Sequence, residues 1–88
     1  MSLSSVATAM GVPLHALEEL LGGRSSAALA ARLRTGTELV QDFIDGQANE
    51  GVAAAISVPT AFAQELRDRI GKSGAIGLLI GLCISLRR

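Results

Sequence analysis

No tryptophan or tyrosine occurs in the 88 residues, phenylalanine occurs twice, and cysteine and histidine occur once each. With 49% hydrophobic residues, the apolar content must come from alanine, leucine, isoleucine and valine. A core of this kind has few large anchors and favours close helix packing, and a small domain so built often gains stability by oligomerising. The lone Cys83 excludes an intrachain disulfide and any multi-cysteine zinc site. Eight cations balance eight anions, which removes the usual electrostatic basis for binding nucleic acid. Neither lysine nor arginine precedes Arg24, so the positive region of a standard secretory signal is missing. A cytoplasmic location is the default expectation, with export or membrane association as the alternatives.

Catalytic patterns are equally scarce. His15 has no nucleophile or acidic partner placed beside it by a motif. Gly71-Lys72-Ser73 lacks the earlier glycine of a phosphate-binding loop, because Asp68 to Ile70 stand in front of it. The carboxylates of Glu38, Asp42 and Asp45 share a helix face, but no histidine follows and no calcium-type loop surrounds them. The expectation is a protein that is not an enzyme and carries no metal or cofactor.

What the chain does have is an apolar end. Gly74 to Leu86 reads GAIGLLIGLCISL, without a charge, between Lys72 and Arg87. On a helix, Gly77, Gly81 and Ser85 fall four apart on one side, with Gly74 near the same line. Such a small-xxx-small line lets a second backbone approach closely, and Leu78 and Leu82 border it. Thirteen residues make about 20 Å of helix, short of the ~30 Å hydrocarbon core. Membrane contact is therefore expected to stop short of a full span, and burial against a partner helix is the leading reading.

Before that end the pattern predicts an all-α domain, residues 1–88, of about five short helices. Val6, Ala7 and Met10 make one stripe. Gly11-Val12-Pro13 turns the chain, Leu14, Leu17, Leu20 and Leu21 make the next stripe, and Gly22–Gly23 stop it. Ser25 or Ser26 can cap a helix over Ala27 to Arg34 with Leu29 and Leu33 inward and Arg32 and Arg34 outward. Thr35 and Glu38 have capping-box spacing ahead of a helix to Asp45, whose face is Leu39, Val40, Phe43 and Ile44. Gly46 to Gly51 is loop by composition. Residues 52–57 read as a short helix, with a strand near 52–58 as the alternative. From Thr60 a helix is expected to bury Phe62, Leu66 and Ile70, expose Glu65, Arg67, Asp68 and Arg69, and close at Gly71. The basic block of Arg24, Arg32 and Arg34 and the acidic block of Glu38, Asp42, Asp45 and Glu50 can pair within the fold or between copies.

Three stretches resemble known bacterial or phage families. Ala7, Gly11 and Leu17, with Val6, Met10, Val12 and Leu20 around them, resemble the helix-turn-helix of phage-repressor-type regulators, which implies DNA binding through residues 3–21. Its second helix carries His15, Glu18 and Glu19 and no cation. Ile56-Ser57-Val58-Pro59 followed by Leu66, Gly71, Ser73, Leu79 and Ile80 resembles ribbon-helix-helix repressors over 54–86, which implies a strand there and a dimer. Val12, Leu17, Leu20 and Gly22–Gly23 resemble the double-glycine leader of bacteriocin-type peptides, which implies cleavage after Gly23 and an exported membrane-active product. The first-ranked expectation remains a non-catalytic helical module. It would form a homo-oligomer, or dock on a helical protein, through Gly74, Gly77, Leu78, Gly81, Leu82 and Ser85.

Overall fold

In the computed structural model, which describes residues 2–87, the chain folds as α1 (Leu3–Met10), α2 (Leu14–Leu21), α3 (Ala27–Leu33), α4 (Thr37–Asp45), α5 (Glu50–Ala55) and α6 (Thr60–Arg87). It is all-helical, and no strand occurs among the described residues. Three helices start under side-chain caps: Ser2 accepts from Ser5 N–H, Ser26 from Leu29 N–H and Asn49 from Val52 N–H. Each cap satisfies one of the open N–H groups of a first turn. Asn49 also places the start of α5 at Glu50, inside the stretch expected to be loop, and the amide of Asn49 donates to Leu39 O at 2.7 Å. Residues 52–58 contribute the end of that helix and a turn. The strand required by the ribbon-helix-helix resemblance is therefore not formed.

α6 is two helical segments joined at a kink. As expected, the helix from Thr60 closes at Gly71, whose φ 71 and ψ −177 are not helical, and a second segment follows directly to Arg87. The Gly71 conformation is open to glycine and costly for a side chain. The first segment, 60–70, is rotated from the expected setting. Phe62 is 53% exposed, Leu66 and Ile70 are half-buried, and Ala63 and Arg67 face the interior at 0% and 8%. Arg67 is inside because α4 ends against it. Its Nε donates to Phe43 O and its Nη2 to Ile44 O, both at 2.7 Å. A guanidinium there satisfies two open carbonyls and meets the negative end of the helix dipole.

The same arrangement recurs along the chain. Gln41 Oε1 accepts from Ser25 N–H at 2.9 Å, and its Nε2 donates to Gly23 O and to Asp45 Oδ1. Gln64 Oε1 accepts from Ala48 N–H at 2.9 Å, and its Nε2 donates to Gly46 O and to Asp68 Oδ1. Every member of the second set lies 23 residues after its counterpart in the first. Backbone conformation follows the same step. Gly11, Arg34 and Ser57 are left-handed residues that close α1, α3 and α5, while Gly23 and Gly46 have positive φ after α2 and α4. Helices α2, α4 and α6 begin at Leu14, Thr37 and Thr60, behind Pro13, Gly36 and Pro59. The fold is thus a short array of two-helix units, with α2–α3 and α4–α5 as complete units. α1 stands before them as a half-unit, and the two segments of α6 stand after them as a bent third.

The core is made where these units meet. Met10, Leu17, Leu20, Leu29, Val40, Phe43, Ile44 and Val52 are fully buried, and Ala75, Leu79 and Cys83 of the second segment of α6 join them. α6 packs on α1, α3, α4 and α5, so the last helix draws the array together. Several expected inward residues are at the rim instead: Leu14 is 40% exposed, Leu21 47% and Leu39 37%. Arg32, expected in water, is half-buried with its guanidinium against Gly11. Helix α4 starts at Gly36 without a side-chain cap. The Thr35–Glu38 capping box does not form, and Thr35 Oγ1 is buried without a hydrogen-bond partner among the described residues.

Candidate functional site

The apolar end is the strongest candidate surface. A four-residue step puts Ala75, Leu79 and Cys83 on one buried face. The next positions round the helix, Ile76, Leu78, Ile80, Leu82 and Ile84, are half-buried. The side opposite the core carries Gly77, Gly81 and Ser85, all exposed, and a Cβ built on Gly77 or Gly81 would meet nothing within 4 Å. Nothing among the described residues fills that side. Leu86 beyond it is 51% exposed.

Gly74 does not belong to the open line. A Cβ there would lie 2.6 Å from Ile70 Cβ, because the bend at Gly71 brings Ile70 against it. The smooth face therefore begins at Gly77, with Leu78 and Leu82 as its half-buried borders. Cys83 sits on the buried side. Burial pushes its thiol pKa above the ordinary cysteine value, and the positive charge of Arg32 opposes this in part. A thiol so placed is a poor nucleophile.

The two charge blocks lie on the surface in different ways. Arg24 and Arg34 are exposed, as are Glu38, Asp42, Asp45 and Glu50. Asp45 accepts from Gln41, and Arg32 turns inward. Arg32 and Arg34 border a cleft of about 490 Å³ beside Ala54, Ser57 and Leu86. His15 is exposed on α2 and lines a shallow depression with Glu18, Glu19, Gly22 and Arg24. Among the described residues no cluster of three or more His, Cys, Asp or Glu could hold a metal.

The remaining motifs are also placed. α1 and α2 are joined by a turn at Gly11 with φ 77, as two helices packed at an angle require. The outer side of α2 presents Leu14, His15, Glu18 and Leu21. The bond after Gly23 lies in a packed turn: Gly23 is buried beside Lys72, its carbonyl accepts from Gln41, and Ser25 N–H is held by the same side chain. A peptidase could reach that bond only after the turn opened. Comparison with known proteins finds no matching family model, no matching curated protein and no matching solved structure.

Sequence reasoning missed Gln41, Gln64 and Arg67, the side chains that hold the units together. The recurrence of Gln-x-x-x-Asp at Gln41–Asp45 and Gln64–Asp68 was the signal that could have found two of them.

Proposed function

We propose that this protein is a non-catalytic helical module that self-associates through the second segment of α6. The observation that supports this reading is the open side of that segment. Gly77, Gly81 and Ser85 are solvent-exposed on a stretch, residues 74–86, whose other residues are all apolar. A partner helix laid along this line would approach closely and bury Leu78, Leu82 and Leu86. The exposed Arg24 and Arg34 and the exposed Glu38, Asp42 and Asp45 would then meet across copies and bias their orientation. Size-exclusion chromatography with light scattering at micromolar protein tests the proposal. The wild-type mass should exceed that of one chain, and Gly81→Leu, which fills the open line without touching the core, should lower it. A clean wild-type monomer would refute the reading.

A lipid surface is the second reading, supported by the composition of the same segment. The 27 residues Thr60–Leu86, kinked at Gly71, contain a window of mean hydropathy 1.4, of which 17% is buried. In this case the protein would float with liposomes, and Gly81→Leu would leave flotation intact while Leu86→Asp weakened it.

A further inference from the structure

The 23-residue step makes the rim of the array interpretable, because each exposed residue can be compared with its equivalents inside. Leu21, Ile44 and Arg67 occupy one position of α2, α4 and α6. Ile44 is fully buried and Arg67 nearly so, yet Leu21 is 47% exposed. Arg67 is covered because it seats on the end of α4, the preceding helix of its kind. α2 has no such helix before it. At the other end the order is reversed. Leu20, Phe43 and Leu66 share the position on which that seat is made; Leu20 and Phe43 are fully buried and Leu66 is half-buried. The chain therefore has an open leading edge at Leu21 and an open trailing edge at Leu66.

Polar residues at the two edges differ from the internal pattern in a complementary way. Inside the array, Gln41 binds the carbonyl of Gly23 and Gln64 that of Gly46. The glutamine position is Glu18 at the leading edge, and the glycine position is Arg69 at the trailing edge; both are exposed. An acid thus replaces glutamine on one edge, and a cation replaces glycine on the other.

We infer that a second copy of this chain docks head to tail, with Leu21 and Glu18 of one copy seated on Leu66 and Arg69 of the next. The contact continues the packing that already joins α4 to α6 within one chain. Across copies, a Glu18–Arg69 ion pair takes the place of the internal glutamine-to-carbonyl bond. Such a contact is heterologous, so it propagates or closes into a ring rather than stopping at a dimer. It uses neither Gly77 nor Gly81 and is independent of the association proposed above.

Light scattering over a concentration series, performed on the Gly81→Leu chain, separates the two surfaces. Head-to-tail docking requires the mass of that chain to rise with concentration. Added Glu18→Arg or Arg69→Glu should each return it to one chain, and mixing the two variants should restore growth, since every edge then meets an opposite charge. Leu21→Ser should also abolish growth, through the apolar half of the contact, and far-UV circular dichroism checks that each variant is folded. A Gly81→Leu chain that stays single at all concentrations overturns the inference. So does a mass indifferent to either charge reversal or to Leu21→Ser, or a mixture that fails to grow.

Discussion

Thr35 and Arg67 show how one side chain is judged by its surroundings. The hydroxyl of Thr35 is buried without a partner among the described residues, and the equivalent positions one unit before and after are Val12 and Val58. Removing an unpaired buried hydroxyl while keeping the shape should help, so Thr35→Val is expected to raise stability by about 1 kcal/mol in urea denaturation. Arg67 is the opposite case. Its charge is buried but both of its bonds go to carbonyls at the end of α4. Arg67→Met would fill similar space and leave those carbonyls unpaired, at an expected cost of about 2–3 kcal/mol by the same measurement. The local charge pattern around residues 65–69 marks Arg67 as a surface residue. Only the position of the α4 end makes it an interior one.

At the level of elements, the helices are joined by turns that a neighbour closes. Gln41 and Gln64 each hold one backbone N–H and one carbonyl of the turn a unit earlier. Because their partners and distances match, Gln41→Ala and Gln64→Ala should cost nearly the same, about 1–2 kcal/mol each in chemical denaturation. A large difference between them would mean that the two turns are not equivalent. The helix ends themselves were legible: Ser26 caps α3, and Gly11, Gly22 and Gly46 follow α1, α2 and α4 as read from the residues alone. The repeat was not. The first two units share only Gly23/Gly46, Ala30/Ala53 and Ala31/Ala54, and the second and third share Thr37/Thr60, Gln41/Gln64, Asp45/Asp68 and Gly51/Gly74. What recurs is backbone geometry and burial, which leucine, valine and alanine satisfy equally well.

For the molecule as a whole, Cys83 is a reporter. It lies fully buried on the last helix, which packs on α1, α3, α4 and α5. Its folded pKa is raised by burial, so its contribution to stability is complete below the ordinary cysteine pKa. That contribution declines above it, where the unfolded chain ionises and the folded one does not. Thiol labelling should therefore track global unfolding, and a Cys83→Ala chain should lose part of the fall in stability seen as pH rises through the alkaline range.

Two kinds of information built this protein, and they are separable. Helix content, the turns at Gly11, Gly23 and Gly46, and the apolar line of the last helix come from contacts between near neighbours, so composition and spacing were enough to read them. Which side of each helix faces inward depended on partners 16 to 24 residues away. Those contacts turned Phe62 out and Arg67 in, and left Leu21, Phe62 and the Gly77–Gly81 line uncovered. A helix can bury only the side its neighbours reach, and the neighbours exist only once the chain has folded.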